Sequence, residues 1–109
     1  MVAADISPSL AVWLSVGCHD PGHALAYELV RRWIHRGDPV AIVFLHEDAV
    51  EAAADDTWRQ RWLEITPGRI FACSAASQRR SIADSRLPAA GLALWMDKKQ
   101  NAERVAYFR

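Results

Sequence analysis

Two hydrophobic periods alternate along the chain. Leu10 to Val16 (LAVWLSV) is a short apolar run that stops at Gly17, the pattern of a buried first strand. Ala26, Leu29, Val30 and Trp33 then recur at helical spacing, opposite Glu28, Arg31, Arg32 and His35. Asp20 is placed to cap this helix, with Pro21 at its first position, where a missing N–H costs nothing. Gly37 is placed to end it in a left-handed conformation. Pro39 to Leu45 (PVAIVFL) is apolar throughout and rich in β-branched residues, as in a parallel strand covered on both faces.

Beyond an Ala-rich acidic connection, Asp56 is expected to cap a short helix through Ile65, with Trp58 and Trp62 one turn apart. Pro67-Gly68 breaks that segment. Arg69 to Cys73 reads as a third strand, and Ser74 onward as a helix reaching about Ala83. A loop around Leu87-Pro88 leads to a helix from about Gly91 to Lys99. Arg104 to Phe108 closes the chain as a last strand. Strands alternating with helices predict a single α/β domain over residues 1–109, a three-layer α/β/α arrangement with a mainly parallel sheet of four to five strands.

Composition narrows the function. With 109 residues the chain fits one domain and can bury a core without disulfide or metal staples. Thirteen acidic residues balance thirteen lysines and arginines, so no nucleic-acid partner is expected. The basic pairs Arg31-Arg32, Arg79-Arg80 and Lys98-Lys99 read as solvated helix faces. No apolar run approaches the roughly 18–20 residues of a membrane span, and the N-terminus lacks the basic opening of a secretory signal. A cytoplasmic protein with no membrane partner is expected. There Cys18 and Cys73 would be free thiols. Two cysteines are too few for an all-cysteine zinc site.

Reactive groups in open parallel sheets gather beyond the carboxyl ends of the strands. Three segments end there: Gly17-Cys18-His19, His46-Glu47-Asp48 and Cys73-Ser74. Cys73 marks a strand-to-helix junction, where unsatisfied N–H groups favour a thiolate. Ser74, Ala75 and Ala76 are small enough to leave its sulfur accessible, and Arg79 and Arg80 lie one to two turns on. The competing reading is a small buried hydrophobe, which free cysteine often is.

The segment Cys73-Ser-Ala-Ala-Ser-Gln-Arg-Arg-Ser-Ile82 resembles the motif of the DsrE/TusD-like family, an active-site cysteine followed by Ala-Ala, a basic pair and an aliphatic residue. Val43-Phe-Leu-His-Glu-Asp-Ala-Val50 is similar to the family's strand ending in an aromatic and then acidic-small-Val. Ala102-Glu-Arg-Val-Ala-Tyr-Phe108 is similar to its Asp-Arg-Val ending. The resemblance implies a sulfur carrier or sulfurtransferase: Cys73 accepts a sulfane sulfur as a persulfide and passes it to a partner protein, as in tRNA thiolation or sulfur oxidation. It also implies donor and acceptor proteins as partners, homo- or hetero-oligomers of related subunits, and no cofactor.

Ser74, Arg79, Arg80, Cys18 and His46 are candidate auxiliaries. The alternative is a non-catalytic structural or regulatory subunit, since some family members lack the cysteine. A third reading is an unrelated flavodoxin-like binding domain. Two departures stand out: the stretch Ile82–Gly91 is shorter than in TusD-like members, where it frames the cysteine, and the Gly17 loop carries an unusual cysteine.

Cys18, His19, His23 and His46 would share one sheet edge, and mixed Cys/His sets suit transition metals. Cys18-His19 is an adjacent pair, however, and no C-x-x-C spacing occurs, so no metal is expected. One reading of Cys18 is a resolving thiol that closes reversibly onto Cys73; an inert loop thiol is the simpler expectation. Of the five tryptophans, most belong in the core, while Trp58 and Trp62 beside Arg59 and Arg61 suit either packing or an oligomer interface. Gly17 to Gly22 holds neither a P-loop nor a dinucleotide fingerprint.

Overall fold

The computed structural model describes residues 9–82 and 86–109. Five strands, β1 (Leu10–Leu14), β2 (Val40–Leu45), β3 (Ile70–Cys73), β4 (Ala89–Ala90) and β5 (Arg104–Phe108), form one sheet in the order β4-β3-β2-β1-β5, every neighbouring pair parallel. The connections carry α1 (Pro21–His35), a 3₁₀ segment (Glu47–Ala53), α2 (Asp56–Ile65), α3 (Ser74–Arg79) and α4 (Leu92–Gln100). The chain is a three-layer α/β/α domain, as its alternating pattern predicts.

The order of strands fixes which face each helix covers. From β1 to β4 the chain advances in one direction, so right-handed crossovers carry α1, α2 and α3 on one face. It then returns past β1 to place β5 at the opposite edge, which puts α4 on the other face. Side-chain contacts agree. Trp95 of α4 lies 5.3 Å from Trp13 and 6.1 Å from Tyr107, ring to ring. On the other face, His23 and Tyr27 of α1 meet Trp58 and Trp62 of α2 edge-on. Ile42, Val43, Phe44 and Leu45 are fully buried between the two layers, which explains why PVAIVFL carries no polar residue.

Local signals act as read at α1: Asp20 accepts from the Gly22 N–H at 2.8 Å, and Gly37 ends the helix region at φ 86°. Several expectations need correction. The first strand stops at Leu14, short of Val16. Asp55 caps α2, not Asp56: its extended backbone aims the carboxylate at the Trp58 N–H, 3.0 Å away, while Asp56 pairs with Arg59 at 2.7 Å. The acidic Ala-rich connection is the 3₁₀ segment, whose Ala49, Val50, Ala52 and Ala53 are buried.

The helix after Cys73 has six residues. It ends where Ser81 turns left-handed at φ 54°, the Ser81 N–H reaching the Gln78 carbonyl and the Ile82 N–H the Ser77 carbonyl. That double closure is a Schellman stop made without glycine. The expected end at Ala83 lies outside the described residues. Trp62 is fully buried and Trp58 packs against the core, so the pair joins helices rather than offering a free interface.

Candidate functional site

The carboxyl edge of the sheet carries the predicted residues in two groups, with Cys73 at the end of β3. Cys73 is the last residue of β3 and the N-cap residue of α3, as its sequence position implies. Its side chain makes no capping hydrogen bond. The expected open sulfur is not observed: Cys73 is only 4% exposed and belongs to the core. The sulfur is enclosed because β3 is an inner strand, with Cys73 paired to Ala90 of β4, and because α3 packs back on β3. Ser74 opens α3 and is half-buried, while Ala76 and Ser77 are buried.

The first group lies around the end of β2. Arg79 bonds Glu47 at 2.9 Å, and Arg80 bonds Asp48 at 2.8 Å and reaches Glu47 at 3.5 Å. Both guanidiniums therefore tie α3 to the 3₁₀ segment and spend their charge on carboxylates rather than on the thiol. Glu47 sits at φ 50°, a left-handed backbone for a residue with a side chain, at the point where β2 turns into the 3₁₀ segment. His46 stacks on Trp13 at 4.5 Å, with Nε2 3.5 Å from Glu47. Burial pushes its pKa below the ordinary histidine value, Arg79 and Arg80 push the same way, and Glu47 opposes them.

The second group surrounds the loop after β1. Cys18 is 6% exposed, and burial raises its thiol pKa, with Asp55 and then Glu51 adding to the effect. The fold thus favours a protonated, weakly nucleophilic Cys18. A ring nitrogen of His19, the sulfur of Cys18 and a carboxylate oxygen of Asp55 lie within 4.8 Å of one another. His23 and His46 do not join them. His23 is buried with both nitrogens engaged, Nδ1 with the Val16 carbonyl at 2.9 Å and Nε2 with the Trp62 indole at 3.1 Å. Both cysteines are free thiols.

A groove of about 450 Å³ opens between α4 and the ends of β1 and β5. Its walls are Trp13, Leu92, Trp95, Met96 and Tyr107, and its polar rim is Ser15, His46, Glu47 and Arg109. It lies beyond the carboxyl ends of β1 and β5, the side of an open parallel sheet on which ligands gather. The sequence reading missed it. Of its lining, only His46 and Glu47, at the end of the second strand, were placed where chemistry could sit, because nothing in a linear pattern says that the last strand returns beside the first. Asp55 was missed for another reason: its neighbour Asp56 offered an equally good capping residue.

No family model matches the sequence, and no curated protein matches it. Solved structures do. The ychN protein from E. coli superposes with a TM-score of 0.73 at 18% identity, covering 94% of this chain and 100% of that one. BT1422 from Bacteroides thetaiotaomicron, a conserved protein of unknown function, gives 0.72 at 14% identity, covering 95% and 98%. The likeness is one of fold. This chain shares their fold over nearly its whole length. Among the described residues, no helix is long and apolar enough to cross a membrane.

Proposed function

We propose that the chain is a sulfur carrier of the DsrE/TusD type, with Cys73 holding a persulfide between a donor and an acceptor protein in a reducing compartment such as the cytoplasm. The observation that supports this reading best is the position of Cys73, at the strand-to-helix junction of β3 and α3 in a chain of this fold. The chemistry is an exchange without net oxidation. The Cys73 thiolate attacks the outer sulfur of a donor persulfide, the donor S–S bond breaks, and its electron pair leaves with the donor thiolate. Repetition of the step with an acceptor thiolate returns Cys73 to its starting state.

One observation favours the second reading, an assembly subunit without sulfur chemistry: the Cys73 side chain is buried. For the carrier reading, α3 must move to uncover the thiol. The apolar face of α4 and β5 suits assembly under either reading. Leu92 is 52% and Met96 57% exposed, with Val105 and Tyr107 on β5, the edge strand among the described residues.

Intact-mass analysis after incubation with a persulfide donor separates the two. A carrier gains the mass of one sulfur atom, lost in Cys73→Ser and kept in Cys18→Ser. An assembly subunit gains none.

A further inference from the structure

We propose that Cys18, His19 and Asp55 form a binding site for a borderline divalent transition-metal ion, Zn²⁺ above all. The site is separate from Cys73 and from the groove under α4.

The three donors come from two elements that the core holds together. Cys18 and His19 lie on the loop after β1, closed by the Asp20 N–H on the Gly17 carbonyl at 3.0 Å. Asp55 precedes α2 and is held as its cap: one carboxylate oxygen accepts from the Trp58 N–H, and the other is left for a ligand. His19 is exposed and makes no side-chain hydrogen bond among the described residues, so its ring can turn inward without breaking one. Donor atoms around a tetrahedral zinc stand about 3.3–3.8 Å apart, given bonds of about 2.0–2.3 Å. The observed set, within 4.8 Å, needs only side-chain rotation to close on an ion.

Two further observations suit a cation. First, the carboxylates at this loop have no basic partner. Among the described residues, ion pairs engage Glu28, Asp38, Glu47, Asp48 and Asp56, but neither Asp55 nor Glu51. Second, Glu51 is packed against the loop itself, since a Cβ at Gly17 would stand 2.8 Å from its Oε1. Glycine at position 17 leaves room for that carboxylate beside Cys18. Glu51 then lies at the rim as an outer-shell acceptor for a water in the fourth coordination position.

The donor types choose the ion. A thiolate and an imidazole disfavour Mg²⁺ and Ca²⁺, which take oxygen, and three protein ligands with one open position match the coordination of exchangeable zinc. On loading, the thiol proton is displaced by the metal and leaves to water, so uptake weakens on acidification.

Co²⁺ serves as the probe, added to the reduced full chain with a phosphine as reductant. The expected result is saturable uptake of one equivalent, with tetrahedral visible bands and a near-ultraviolet thiolate-to-cobalt band, all displaced by Zn²⁺. His19→Ala, at an exposed position that leaves the fold intact, should weaken binding about tenfold or more. Cys18→Ser should remove the charge-transfer band, and Cys73→Ser should retain it. Absence of saturable uptake, uptake indifferent to His19→Ala, or a charge-transfer band that disappears with Cys73 instead of Cys18 would each overturn the assignment. None of these outcomes depends on sulfur-carrier activity.

Discussion

The Trp62 indole N–H donates to His23 Nε2 across 3.1 Å, between two side chains that no solvent reaches. The bond fixes the tautomer. Nε2 accepts, so Nδ1 carries the proton and gives it to the Val16 carbonyl at 2.9 Å. A single neutral imidazole thereby joins α1, α2 and the end of the β1 loop. Trp62→Phe keeps most of the apolar volume but strands the Nε2 acceptor in the core. The expected cost is about 1–3 kcal/mol, the range for a buried polar group left unpaired. Chemical denaturation gives the comparison, and a change near zero would mean that water replaces the indole.

The same neutral ring makes stability depend on pH. Burial holds the pKa of folded His23 below its ordinary value of about 6.5, against smaller opposing effects of the Val16 hydrogen bond, Asp20 and Asp55. The unfolded chain therefore takes up the proton first on acidification. Stability is complete above about pH 6.5 and falls as the pH drops from there toward the lower folded-state value. His46 shifts in the same direction, again through burial first, and adds to the slope. Denaturation midpoints should fall between pH 7.5 and pH 5, and His23→Gln should flatten part of that dependence. A profile unchanged by His23→Gln would place the sensitivity elsewhere.

The exposed apolar face predicts association. Leu92 and Met96 on α4 and Tyr107 on β5 stand together on the groove, and among the described residues β5 leaves one edge of its backbone unpaired. Light scattering over a wide concentration range should show a species larger than one chain. Met96→Glu should shift that species toward the monomer while leaving the thermal midpoint within a few degrees, because the side chain is already 57% exposed. A monomer at every concentration would exclude self-assembly and leave a related subunit as the partner.

How far the sequence carries is visible in single residues. The PVAIVFL run specified a central strand because a strand covered on both faces tolerates no polar residue. Asp20, Pro21 and Gly37 specified α1 because capping chemistry is local. β4 was not legible: Ala89 and Ala90 have no periodicity, and only their partners Ala72 and Cys73 make them a strand. That omission is also why Cys73 was expected to be open. The metal donors show the same limit, since Cys18 and Asp55 stand 37 positions apart and meet only through the packing of α2 beside the β1 loop.

If Cys73 carries sulfur, its exposure must be intermittent, and the structure indicates what holds it closed. The covering helix α3 has six residues and is fastened to the 3₁₀ segment by Arg79 and Arg80 on Glu47 and Asp48. These pairs lie at the surface, where such interactions contribute little and are screened by salt. The remaining restraint is the burial of Ala76 and Ser77, a small area for a helix. Alkylation of Cys73 under native conditions should therefore run faster than global unfolding permits, through a local opening. Raising the salt concentration, or combining Arg79→Ala with Arg80→Ala, should speed it about threefold or more as the pairs are lost. Cys18, buried on the loop after β1 beside Asp55, should show no such acceleration, and peptide mapping distinguishes the two sites. Equal acceleration at both cysteines would indicate general loosening of the domain. A Cys73 rate that matches global unfolding, with no response to salt or to the paired substitution, would show that α3 does not open, and the carrier reading would give way to the assembly subunit.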